Sequence, residues 1–190
     1  MTVTTFHICT KEDQPQIINF LEQVKDDFPD FNRQAIEQTT ELLFQEGGTI
    51  AGYQQGELVG ILGYLLGEPS QNYINKDVGY IFVTALLPAV RLTRLFREGL
   101  AFTMHTLQDL GIQQVRFHAA KTDRYTNRLY AHFAQCIGEE VNRRGIPCNL
   151  YAASIPDVLA YLDRRGRTEK QPTPDGYHRA KKGFRRTQGF

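Results

Sequence analysis

The chain has 190 residues, 41% hydrophobic and 11% aromatic, which is enough for one globular domain with a real core and a short appendage. A formal net charge of +1 excludes the global positive field of a general nucleic-acid binder, and three scattered cysteines, Cys9, Cys136 and Cys148, exclude a disulfide scaffold. No apolar run approaches the roughly twenty residues of a spanning helix, and Met1–His7 has no basic-then-apolar leader pattern, so a cytoplasmic protein without membrane contact is expected.

The charge is unevenly spread. Nine of the 22 Lys and Arg but only three of the 21 Asp and Glu lie in Asp163–Phe190, so an acidic body precedes a basic tail. The expected division is a domain over residues 1–165 and a tail over 166–190.

Val3–Cys9 is a short β-prone run, and Thr10 is placed to cap a helix that carries Ile17, Ile18, Phe20, Leu21 and Val24 toward Asp26. Pro29 breaks the pattern. A second helix with Ala35, Ile36, Thr39, Leu42, Leu43 and Phe44 is predicted to end near Gly47-Gly48. Thr49–Tyr53 and Leu58–Leu66 then read as a hairpin around Gln54–Glu57, and Gly67–Asp77 as a polar loop.

Tyr80–Leu87 is apolar throughout, as suits a strand covered on both faces, and Pro88 ends it. Leu92, Leu95, Phe96, Gly99, Leu100, Thr103, Leu107 and Leu110 recur at helical spacing, with Gly111 placed as the residue after the helix. Val115–Ala119 is the next strand. Together these segments form a βαβ unit, which is right-handed and brings both strand ends and the helix N-terminus to one edge, where open α/β sheets bind ligands. Unpaired N–H groups at that helix start, with Arg91 and Arg94, suit an anion.

Asp123 is a candidate cap for a further helix, with Thr126, Leu129, Tyr130, Phe133 and Ile137 on its apolar side and Gly138 ending it. Glu140–Asn142 and Cys148–Ala153 form an expected final hairpin around Arg143–Pro147. Ser154 then starts a short helix with Ile155, Val158, Leu159 and Leu162 inward. The fold class is α/β, a mixed central sheet flanked by helices.

Over Val3–Ala153 this order resembles the GCN5-related N-acetyltransferase (GNAT) superfamily. Leu86-Leu87-Pro88-Ala89-Val90-Arg91 is similar to the family's strand-end V-x-P-x-x-R, and Asp123–Tyr130 is similar to its N-x-x-A-x-x-x-Y segment. In the family's R/Q-x-x-G-x-G/A pyrophosphate turn, Arg91 matches, while Arg94 and Phe96 stand at the glycine and glycine-or-alanine positions, and Asp123 replaces the usual asparagine.

The resemblance implies acetyl-CoA as co-substrate, lying in a gap between the Tyr80–Leu87 and Val115–Ala119 strands. Its binding residues would be Leu86, Leu87, Arg91, Leu92, Thr93, Arg94, Leu95, Phe96 and Asp123. It further implies direct attack of an amine on the thioester, with Tyr130 as the acid for the leaving thiolate. Taken without that match, Tyr130 reads equally as a core aromatic. The base stays open among His118, which has the best location, Asp77, Glu68 and a water chain. The acceptor is implied to meet Phe28–Gly48 and Gly67–Asp77.

Other chemistries lack their residues. Neither serine, Ser70 or Ser154, lies in G-x-S-x-G, and there is no G-x-G-x-x-G or Walker A sequence. No cysteine or histidine spacing suggests a metal. A second reading is a binding module that kept the fold with weak or no catalysis, for acyl-CoA, protein or nucleic acid, using the basic tail, where Tyr177 or Phe184 could stack on bases. A homodimer stays open.

Overall fold

The computed structural model describes residues 3–28, 31–91, 93–142 and 145–168, the last four by backbone alone. Leu92, Pro29, Arg143 and the basic tail from residue 169 onward lie outside the described residues. The helix expected after Ser154 runs three residues past the expected domain boundary at 165.

Strand β1 (Thr4–Ile8) leads to a single 3-10 turn over Lys11–Asp13, where the Thr10 N–H donates to Asp13 Oδ2 at 2.7 Å. Helix α1 (Gln14–Gln23) follows, then a second 3-10 turn, Lys25–Asp27. Helix α2 (Arg33–Glu46) is capped by Asn32, whose Oδ1 accepts from the Ala35 N–H at 2.9 Å.

Helix α2 ends just before Gly47 and Gly48, as expected. They open strand β2 (Gly47–Gln54) directly, because a Cβ at Gly47 would lie 1.9 Å from the Tyr64 carbonyl oxygen and only glycine lets the two backbones approach so closely. The β2 hairpin with β3 (Glu57–Leu66) turns through Gln55 and Gly56, both at positive φ, the conformation that two-residue hairpin loops demand.

Strand β4 (Val78–Leu86), helix α3 (Leu95–Asp109) and strand β5 (Gln114–Ala120) form the expected βαβ unit, with α3 beginning at Leu95 rather than Leu92. Gly111, at φ +84, follows it. Helix α4 (Arg124–Tyr130) is much shorter than the predicted Asp123–Gly138. The chain turns at Phe133, whose ring packs on Phe117 and Tyr161, and Gln135–Val141 forms strand β6 against β7 (Pro147–Ser154). Strand pairing with β7 outweighs the helical spacing of Ile137, which ends up half-exposed on an edge strand. Helix α5 (Ile155–Thr168) closes the described chain.

The seven strands lie in the order β1-β2-β3-β4-β5-β7-β6, antiparallel except where β4 and β5 run parallel. Helices α1 and α2 cover one face, where Ile17, Leu21, Ile36 and Leu43 pack on Ile61, Leu65 and Val83. Helices α3, α4 and α5 cover the other, with Leu100, Met104, Tyr130, Ile155 and Val158 on Ile81, Val115 and Phe117. Each fully buried aliphatic side chain contributes roughly 1.5–3 kcal/mol, so the two layers hold the sheet from both sides.

The regular pairing of the sheet is interrupted in β4. Tyr64 is opposite Ile81 and Gly63 is opposite Val83, leaving Phe82 as an extra residue in that strand. Such a bulge bends and twists its strand. The pairing of β4 with β5 stops at the residue just before it, with Ile81 opposite Phe117.

Candidate active site

Beyond Ile81 and Phe117 the two parallel strands have no mutual register, and a cleft of about 820 Å³ lies there. Its walls are β4 from Ile81 to Leu86, the end of β5 from His118 to Ala120, the start of α3 and one side of α4. Strand edges that lose their neighbour present backbone N–H and C=O groups, which can pair with the amides of an extended ligand whatever the side chains.

Of the residues singled out from the sequence, Leu86, Arg91, Thr93, Phe96, His118, Asp123 and Tyr130 line this cleft. Leu95 is 3% exposed and packs with Val59 and Val90 in a small core, with Leu87 against the same cluster. The Leu87 N–H is also committed, to the Val59 carbonyl at 2.9 Å. Arg94 precedes α3 and its side chain is exposed, outside the cleft lining.

The turn into α3 is built by Thr93. Its hydroxyl donates to the Val90 carbonyl at 2.7 Å and accepts from the Leu95 N–H at 3.3 Å. Phe96 and Arg97 follow on the cleft wall, so the first turn of α3 faces it with a cation alongside.

Arg91 is held from two sides. Its Nε donates to the Leu86 carbonyl at 3.2 Å, and its Nη2 makes a close ion pair with Asp27 Oδ2. Both partners are more than a third exposed, so the pair is screened and weak. Asp27 and the adjacent Phe28, at the junction between α1 and α2, thereby join the cleft wall. Phe28 opens the Phe28–Gly48 segment that the resemblance assigns to the acceptor, whereas Asp27 was not identified from the sequence; an acidic pair beside Phe28-Pro29 at a helix break was the available signal.

Asp123 serves α4 itself. Its Oδ1 accepts from the Thr126 N–H at 3.0 Å and its Oδ2 from the Thr126 hydroxyl at 2.5 Å. Four residues on, the Asn127 amide nitrogen donates to the carbonyls of Ala120 and Asp123, and its oxygen accepts from Asn149 and from the Tyr151 hydroxyl. Asn127 thus ties α4 to β5 and β7.

That anchoring sets Tyr130, which is 9% exposed among Phe117, Phe133 and Tyr151 while still on the cleft wall. Burial, and then the nearby Asp123 carboxylate, push its phenol well above the ordinary tyrosine range. It therefore keeps its proton at physiological pH and is available as a proton donor.

On the α1–α2 side of the sheet a smaller cleft of about 290 Å³ shares Phe28, Phe82, Val83, His118 and Asn142 with the first. His118, one residue past the last β5 position paired with β4 but still paired with Leu150 of β7, stacks on Tyr80 with ring centres 5.4 Å apart. The Tyr80 hydroxyl donates to Glu140 Oε1 at 2.5 Å. Burial, and then this bond, raise the Tyr80 phenol far above its usual range. Glu139, next to Glu140 on β6, pairs instead with Lys121, as strand alternation requires. Glu140 was not among the expected site residues, because sequence shows the alternation but not that β6 curls over Tyr80.

Of the other sequence candidates for a base, Glu68 is committed to Arg116, whose Nε donates to Oε1 at 2.9 Å, both side chains being nearly buried. Asp77 is exposed in the loop before β4. Among the described residues no group of three or more His, Cys, Asp or Glu is arranged to hold a metal ion.

The larger cleft fits a ligand with an amide-bearing arm and anionic groups. It combines an unpaired strand edge, a helix first turn flanked by Arg91 and Arg97, and a protonated phenol. No family model and no curated protein matches the sequence. Solved structures do match in shape. A protein described as an acetyltransferase of the GNAT family from Desulfovibrio desulfuricans superposes over 80% of this chain and 99% of its own, with TM-score 0.64 at 14% identity.

The chain has the GNAT fold. A ribosomal-protein-alanine N-acetyltransferase from Escherichia coli covers the same 80%, and 94% of its own length, with TM-score 0.61 at 12% identity. Aminoglycoside 6'-acetyltransferase type Ii gives TM-score 0.61 at 14% identity, over 80% and 97% of the two chains. In this chain's strand order, the two strands that part at Phe82, β4 and β5, lie at the middle of the sheet.

Proposed function

We propose that the protein is an N-acetyltransferase that moves an acetyl group from acetyl-CoA to an amine by direct attack, with residues 1–165 as its catalytic domain and 166–190 as a basic appendage. The observation that carries this reading is the parting of β4 and β5 at the Phe82 bulge. It opens a larger cleft, walled by α3 and α4 and reaching through to Asp27 and Phe28, and a smaller one on the α1–α2 side, and the two share the residues around His118. Two reactants can then meet at the gap from opposite faces, which is how proximity lowers the barrier of a two-substrate reaction.

Acetyl-CoA supplies the activated acetyl group. The unpaired edge of β4 up to Leu86 would hold its amide arm, and Arg91, Thr93, Arg97 and the start of α3 its phosphates, once Arg91 exchanges Asp27 for phosphate. Phe96 narrows the same wall. Tyr130 donates its proton to the departing sulfur, and Asp123 and Asn127 hold the helix that carries it.

A specific observation favours a second reading, a fold-retaining binding module. Arg91 is bound to Asp27 and Phe96 occupies the wall where the family's turn is small. Thermal-shift titration with acetyl-CoA separates the two. A rise in melting temperature that grows with ligand supports the enzyme, and none at millimolar ligand overturns it.

A further inference from the structure

The smaller cleft has a chemical character of its own. Phe28, Phe31, Phe82 and Val83 make one wall, and among the described residues Glu140 is the carboxylate that lines it. Phe28 and Phe31 pack against each other with ring centres 5.1 Å apart, and Phe31 is 5% exposed, so this aromatic wall is built into the α1–α2 junction.

Glu140 reaches this position from the far edge of the sheet. Its strand is separated from β4 by β5 and β7, yet its Oε1 accepts from Tyr80, which itself stacks on His118 at the gap. A carboxylate has two oxygens and about four acceptor sites, so one bond from Tyr80 leaves capacity for a second donor.

We infer that this cleft takes a primary amine carried on an apolar, ring-bearing body, with Glu140 as the group that binds the nitrogen and accepts its proton. The assignment rests on the acetyltransferase reading. The ring lies against Phe28, Phe31 and Phe82, where edge-to-face and offset aromatic pairing adds to the gain from buried area. As the nitrogen lone pair forms the new C–N bond and the thioester C–S bond breaks, the nitrogen's proton passes to Glu140 and the Tyr130 proton goes to the sulfur. Solvent then removes the first proton and replaces the second. Two sources offer the same chemistry, a free arylalkylamine and a peptide whose first residue is aromatic.

The experiment compares acetyl transfer to phenethylamine, to a peptide amide beginning with phenylalanine, to one beginning with glycine, and to spermidine. Phenethylamine or the phenylalanine peptide should lead in kcat/KM by at least tenfold, and whichever of the two leads names the source. Preference for spermidine or the glycine peptide overturns the assignment. Glu140→Gln should lower kcat about a hundredfold while the KM for acetyl-CoA stays within about twofold, the usual scale for losing a base.

Tyr80→Phe breaks the tether but keeps the carboxylate, so it should lose much less. Equal losses in the two variants would show that Glu140 only holds the hairpin, and would overturn its chemical role. Calorimetric titration of phenethylamine against spermidine, without acetyl-CoA, keeps the two claims separable. If acetyl-CoA fails to bind, the enzyme reading falls. The amine preference, and its loss in Glu140→Gln, still decide this one.

Discussion

The Tyr80 hydroxyl donates to Glu140 Oε1 at 2.5 Å, and this bond joins β4 to β6 across the two strands between them. The β6–β7 hairpin is thereby folded over the end of β5 where the central strands part. Tyr80→Phe should destabilise the protein by about 1.5 kcal/mol, the scale of a hydrogen bond to a charged group. Urea denaturation measures it, and an unchanged midpoint would mean that the hairpin is held by packing alone.

Asp27 competes with any anion for Arg91, and the pair is exposed enough to be worth only about 0–1 kcal/mol. Asp27→Asn should therefore tighten acetyl-CoA binding by roughly two- to fivefold. Arg91→Ala should weaken it. Fluorescence or calorimetric titration would show either change, and weaker binding in Asp27→Asn would show that the carboxylate helps rather than competes.

Tyr130→Phe should reduce kcat by one to two orders of magnitude with acetyl-CoA affinity nearly unchanged, because the phenol acts only as the thiolate leaves. Single-turnover kinetics separate chemistry from product release. Full activity would remove Tyr130 from the reaction.

The same burial predicts a pH dependence of stability. Tyr64, Tyr80 and Tyr130 all have phenols raised above the ordinary tyrosine value of 10.0, with burial the largest cause in each. A raised folded value means that the native state keeps protons which the unfolded chain loses. Their contribution is fully present below about pH 10 and declines above it, by up to about 1.4 kcal/mol per pH unit for each tyrosine. Urea midpoints at about pH 8 and about pH 11 test the sign, and a midpoint that rises with pH would contradict it.

Asn127→Ala should cost about 2–3 kcal/mol, since it removes the acceptor of the Asn149 amide and the Tyr151 hydroxyl and one of the donors to the Ala120 carbonyl at the α4–β5–β7 junction. Asn127→Asp keeps the oxygen and should recover part of the loss. Denaturant unfolding of both variants provides the comparison.

Most of the architecture was legible because it follows from local periodicity. Ile17–Val24, Tyr80–Leu87 and Leu100–Leu107 carry their element in the spacing of apolar residues, and Gly56 and Gly111 mark turns that require positive φ. The misreadings occurred where two periodicities fit the same residues. Phe133 and Ile137 continue a helical stripe from Tyr130, but pairing with β7 claimed Gln135–Val141 as a strand. Gly47 does end α2 as its sequence predicts, and it also opens β2, where its bareness lets the strand approach Tyr64.

By itself the sequence determined the order of elements and the βαβ unit, because helix caps, turns and burial patterns act over a few neighbours, while Arg91 and Tyr130 became candidates through the resemblance of their motifs. Only the tertiary structure decided which residues face the gap. The Phe82 bulge depends on the register between β3 and β4, the Arg91–Asp27 pair spans 64 positions, and Tyr80 meets Glu140 across 60. Those contacts depend on how the sheet bends and curls, a property of all seven strands together that no local stretch of the chain encodes.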